Sequence, residues 1–189
     1  MIPSHAARLQ SMLRSMTEVI IPALNRDDQL AHDQAQILLG NLRLLSDQAD
    51  RTYEYDMVEL REYVALLKEL TRIVQGGRQT TARKEAALGT LAEAEPIAAL
   101  PIPEHQLLAA RLTGVKAAVD ALISAIYADG EPTCRKAAVA VVLSQAASQN
   151  RRERAWFRSA GFDSALNEVP SLDEVLSVTS ANSGSPKTR

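Results

Sequence analysis

The sequence predicts an all-α protein, a helical bundle of four to six long amphipathic helices. Three observations carry that expectation. Apolar residues recur at three- and four-residue steps over most of the chain. Val, Ile and Thr are scattered and never alternate as they do in strands. Only 4% of the 189 residues are aromatic, so Ala and Leu, which enter helices at little cost, carry the 46% apolar share.

The first helix is expected from Ser4 or His5 to about Ile21, with Leu9, Met12, Leu13, Met16, Val19 and Ile20 on one face. Pro22 lacks the N–H that would continue the ladder, so it ends or kinks the helix; Ala23 and Leu24 extend past the kink. Asn25-Arg26-Asp27-Asp28 reads as a turn and a helix start. The second helix places Ala31, Ala35, Leu38, Leu42, Leu45 and Ala49 on its seam, and Gly40 within it suggests close approach of a neighbouring helix. The segment 46–51 is either a turn or part of one long rod. A third helix over Thr52 to Val74 is striped by Met57, Leu60, Val64, Leu67, Leu70 and Val74, and Gly76-Gly77 ends it. Residues 76–103 break the pattern. Pro96, Pro101 and Pro103 argue for a long mobile link there, with a short helix possible between Ala82 and Glu95.

The fourth helix runs from near Glu104 to about Tyr127 on Leu108, Leu112, Val115, Val119, Leu122 and Ile126. Asp129-Gly130-Glu131-Pro132 is a turn. The fifth helix comes next, with Ala138, Val142, Ala146, Trp156 and Phe157 on or near its inner side, and Gly161 stops it. Ser171-Leu172-Asp173-Glu174 has the capping-box pattern and starts one last short helix. The whole of 1–176 reads as a single helical domain, and the Ser-, Thr- and Asn-rich stretch 177–189 as a disordered tail.

Charge and composition narrow the function. A formal net charge of −2 supplies no strong field toward nucleic acid or membrane. No run reaches the roughly 18 apolar residues a membrane span needs. Arg8 and Arg14 break the opening segment, which therefore has no apolar signal region, and the expected compartment is cytoplasmic. A single cysteine, Cys134, leaves no internal disulfide and no Cys-rich metal knuckle.

Five features invite chemical readings. Asp27, Asp28 and Asp33 have a spacing that can hold Mg²⁺ with a diphosphate, similar to the aspartate-rich motif of isoprenoid diphosphate enzymes. The plainer reading, an N-terminal cap with acidic first-turn residues, is preferred because no second aspartate-rich helix accompanies it. His5, His32 and His105 are isolated, and no Glu-x-x-His pair occurs, so a carboxylate-bridged two-metal site is not expected. Cys134 lies near a helix start beside Arg135 and Lys136, where its thiol pKa can fall, but no positioned base accompanies it and a buried, inert thiol is expected. The run Arg151-Arg152-Glu153-Arg154-Ala155-Trp156-Phe157-Arg158 mixes cations and aromatics, yet basic residues belong at a helix C-terminus for dipole reasons alone, so nucleic acid is not the expected partner. Gly76-Gly77-Arg78 lacks the Gly-Lys-Ser/Thr ending of a phosphate loop.

Ile21-Pro22-Ala23-Leu24, Ala35-x-x-Leu38-x-x-x-Leu42 and Leu60-Arg61-Glu62-Tyr63-x-x-Leu66-Leu67 together resemble the small uncharacterised helical proteins that accompany aminoglycoside-phosphotransferase-like kinases and acyl-CoA dehydrogenases in bacteria. The resemblance spans roughly the first 75 residues. It implies an all-α fold and an accessory role, and supplies no catalytic residues.

The resulting expectation is a non-catalytic binding or accessory bundle, with no cofactor, that forms a homodimer or engages a protein partner. Met12, Met16, Ile21 and Leu24 are the candidate interface, because the first helix carries apolar residues around and past Pro22, beyond one narrow stripe. The alternatives are a metal-dependent enzyme acting on a diphosphate through Asp27, Asp28 and Asp33, and a small-molecule binder with an apolar pocket between helices.

Overall fold

The computed structural model describes residues 4–161, 163 and 165–181. It is 84% helical, with seven helices and no strands among the described residues, so the all-α expectation holds and the count exceeds the expected four to six. The helices are α1 (His5–Ser15), α2 (Gln29–Gln48), α3 (Thr52–Ile73), α4 (Arg78–Ala99), α5 (His105–Asp129), α6 (Pro132–Trp156) and α7 (Leu172–Ala181). Where the sequence reads as one domain over 1–176, the chain gathers into two compact units, one of residues 1–52 and 151–189, the other of residues 53–150.

In the first unit, Ser4 caps α1 by accepting the N–H of Ala7. The helix does not stop at Pro22. A π-helical turn, Met16–Ile20, precedes the proline, and the N–H of Ile21 reaches back five residues to the carbonyl of Met16. The wider turn relieves the clash between the proline ring and the carbonyl one turn before it, and the chain stays helical through Ile21–Ala23. Helix α1 then packs against α2. The two run antiparallel, with Gln10 donating to the Ser46 hydroxyl at 3.3 Å. The segment 49–51 is a turn, which settles the choice between two helices and one rod. Helix α7 starts on the expected capping box: Ser171 Oγ accepts the N–H of Glu174, and the Glu174 carboxylate accepts the N–H of Ser171. Of the expected tail, 177–181 are helical in α7, and 182–189 lie outside the described residues.

The second unit is an up-down-up-down bundle of α3, α4, α5 and the part of α6 up to residue 150. Cross-helix bonds fix the directions. Arg61 meets the Ala98 carbonyl while Lys84 meets that of Val74, so α3 and α4 are antiparallel. Tyr53 bonds Pro103 at one end, and the N–H of Gly77 bonds Asp129 at the other, so α3 and α5 run parallel. Cys134 bonds the Ile73 carbonyl while Gln145 and Ser148 bond Glu62, so α6 returns antiparallel to α3. All six residues expected on the α3 stripe and all six expected on the α5 stripe are buried in one core.

The long link expected over 76–103 is instead helix α4, from Arg78 to Ala99. Its buried face is Thr80, Ala87, Leu91 and Ala94. Three of those four residues are small or polar, so the stripe has little hydrophobic contrast. Pro96 lies near the helix end and is exposed, so the backbone acceptor it leaves unbonded can meet water. The second helix is also rotated from expectation. Ala35 and Leu39 are its buried residues and Leu42 packs beside them, while Leu38 and Leu45 point outward. Gly40 has no heavy atom within 4 Å of where a Cβ would stand, so no neighbouring helix explains it.

Candidate interaction surface

The α1–α2 hairpin buries little and exposes much. Its core is Met16, Ala35 and Leu39, with Leu13, Ile21, Leu24 and Leu42 partly buried around them. On its outside stand Met12, Val19 and Ile20 from the first helical segment and Leu30, Ile37, Leu38 and Leu45 from α2; Leu30 is 71% exposed and Val19 64%. The α2 residues recur at seven- and eight-residue steps, which puts them along one side of the helix. Gln34 and Asn41 lie between them on that side, so the strip from Leu30 to Leu45 carries no charge. Of the four interface residues expected from sequence, only Met12 is on the outside. Met16 is 6% exposed, and Ile21 and Leu24 pack against it, so these three belong to the hairpin core. The π turn shifts the helical phase of Ile21 relative to Met12, so a uniform 3.6-residue period does not carry past it.

The three aspartates do not form a shared site. Asp28 is the N-cap of α2, accepting the N–H of Ala31 at 3.0 Å. Asp33 accepts from the Gln29 amide at 2.8 Å. The backbone N–H of Asp27 is held by the Asn25 side chain in a local turn. Among the described residues, no group of three or more His, Cys, Asp or Glu side chains is arranged to hold a metal ion. Cys134 is buried, with its thiol donating to the Ile73 carbonyl.

The arginine-rich run disperses. Arg152 is buried, and Arg154 pairs with Asp163 at 2.7 Å. Their mutual hydrogen bonding holds the Asp163 carboxyl below the usual carboxylate range. Arg151 and Arg158 are exposed, and no continuous basic strip forms from the run.

Two polar constellations in the second unit had no motif to announce them. In the first, buried Glu59 pairs with Lys116 at 2.8 Å, and the Lys116 ammonium stands 5.3 Å from the Tyr63 ring centroid. Burial, with Glu59 beside it, raises the Asp56 carboxyl above its usual range, against the pull of His105 and Lys116. In the second, the turns after α3 and α5 lie side by side, with Gly76 bridged to Gly130. Asp129 there accepts the N–H groups of Gln79 and Thr80 and the Thr80 hydroxyl. It serves as the cap that Gly77 cannot provide for α4. Between α5 and α6 is an apolar cleft of about 150 Å³ lined by Ile123, Tyr127, Val139 and Leu143 among others. That is below the several hundred cubic ångströms usual for a small-molecule pocket.

No described helix is long and apolar enough to cross a membrane. Comparison with protein-family models, with curated proteins and with solved structures gives no match to this chain.

Proposed function

We propose that this protein is a non-catalytic binding module, an accessory helical protein that engages a protein partner through the outer face of the α1–α2 hairpin, with a second copy of the chain as the first candidate. One observation carries the reading: the hairpin has three buried apolar residues and seven large apolar residues exposed. Exposed apolar area of that kind is costly in water and marks surfaces that another protein covers. The uncharged strip on α2 also has the composition of an interface centre, where charged residues are depleted. A two-fold axis would set this strip against its own copy without opposing like charges.

Sedimentation equilibrium at micromolar concentration tests it. The expected mass is twice the 20.5 kDa of the chain. Leu38→Lys with Leu45→Lys is expected to give a monomer with unchanged helicity, since both side chains are already exposed. A wild-type chain that stays monomeric throughout would overturn the homodimer, and a double variant that remains dimeric would move the interface elsewhere.

A further inference from the structure

A pocket of about 460 Å³ opens between the start of α4 and the last third of α5. Its alanines, Ala82, Ala121 and Ala125, leave the space, and its polar side chains are Arg78, Arg83, Gln79 and Ser124. No carboxylate is among the residues that line it. Both arginines are exposed, and neither forms an ion pair among the described residues. Both stand near the start of one helix, at the positive end of its dipole, where a cation is unfavourable. Asp129 is the nearby carboxylate, and it is already committed to the backbone of Gln79 and Thr80. The backbone N–H groups of Gln79 and Thr80 are therefore occupied, and the proposed site is built from side chains. Lys84, the next cation along α4, is turned away and bonds the Val74 carbonyl.

We propose that this pocket binds a phosphate group, free or carried by a small molecule. Guanidinium groups present planar forks of N–H donors that match phosphate oxygens, and they do so better than a lysine point charge. The Ser124 hydroxyl and the Gln79 amide add neutral donors that suit an oxyanion with several acceptor oxygens. The rest of the space is larger than phosphate alone requires. The chain as a whole has net charge −2, so this cationic pocket is a local feature and not part of a general basic surface.

The test is an amide chemical-shift titration of the full chain with inorganic phosphate and with glycerol phosphate, at ionic strength held constant with sodium chloride. Saturable shifts at Gln79, Arg83 and Ser124 are expected, weakened at least tenfold in Arg78→Ala with Arg83→Ala. Tighter binding of the ester assigns the site to a phosphorylated small molecule, and equal binding assigns it to the phosphate group alone; both support the proposal. Shifts that chloride reproduces, or that survive the double substitution unchanged, overturn it. Arg78→Gln with Arg83→Gln serves as a second variant if the alanine pair loses helicity, and undiminished binding there overturns it equally.

Discussion

Asp129 shows how far a single side chain can act from its place in sequence. Its carboxylate caps a helix that begins some fifty residues earlier. The Thr80 hydroxyl, then the N–H groups of Gln79 and Thr80, and Arg135 favour the charged form and outweigh partial desolvation, so its pKa lies below the usual carboxylate range. A carboxyl with a lowered folded-state pKa stabilises fully above its unfolded-state value, and that contribution is lost as pH falls through the folded-state value. Asp129→Ala is therefore expected to unfold at lower urea than wild type at pH 7. The difference should shrink progressively as the pH drops below about 4. Urea midpoints at both pH values check this; a constant difference would place the effect in packing instead of charge. The glycines separate in the same way. A Cβ on Gly130 would stand 2.5 Å from the Ile126 carbonyl oxygen, so Gly130→Ala is expected to destabilise by about 1–3 kcal/mol. A Cβ on Gly40 meets nothing within 4 Å, so Gly40→Ala is expected to stabilise by about 0.5–1 kcal/mol in the same urea assay. From sequence the two glycines carried the opposite emphasis, because a glycine inside a helix pattern draws a packing explanation and one in a turn draws none. Only the neighbours decide.

At the scale of elements, legibility tracked hydrophobic contrast. Helices α3 and α5 carry Leu, Val, Ile and Met at the expected stripe positions, and all twelve of those residues are buried. The Ser171–Glu174 capping box was readable because its two reciprocal bonds need only residues three apart. Helix α4 was read only in part, as a short helix between Ala82 and Glu95 inside a link, since Thr80, Ala87 and Ala94 give a weak periodic signal and Pro96 imitates a break. Helix α2 was read as a helix whose seam was right at Ala35 and Leu42 and wrong at Leu38 and Leu45, since aliphatic residues cover more than one face and nothing local says which face is inward. The two expected core leucines then separate in energy. Leu67 is fully buried, and Leu67→Ala is expected to cost about 2–5 kcal/mol. Leu42 is only partly buried, so Leu42→Ala is expected to cost clearly less in the same denaturation experiment. Equal losses would show that the hairpin packs as tightly as the bundle. Burial also separates two of the expected interface residues. Met16→Lys puts a charge into the hairpin core, so it is expected to lower helicity, whereas Met12→Lys, at a position 51% exposed, is not.

At the scale of the whole molecule, the two units differ in how much apolar surface they bury for themselves. The core of the bundle unit draws on four helices and includes Leu60, Leu67, Leu70, Val115 and Leu122 with no exposed surface. Among the described residues of the hairpin no side chain is fully buried, and the best covered, Leu39, retains 4% exposure. Local opening costs less where fewer apolar contacts must break, so amides of α1 and α2 are expected to exchange with solvent faster than those of α3 and α5. No sequence pattern carried that difference, because the hairpin is as rich in aliphatic residues as the bundle; what separates them is where those residues point. The same measurement tests what covers the hairpin. A second copy binds only the folded hairpin, so association stabilises it by mass action and its protection depends on protein concentration. Dilution across the dissociation range is then expected to speed exchange in α2 between Leu30 and Leu45 while leaving the α5 core unchanged. The Leu38→Lys and Leu45→Lys variant is expected to show the fast rate at every concentration. Exchange in α2 that is slow and independent of concentration would mean the strip is protected within one chain, and the second copy would have no part in it.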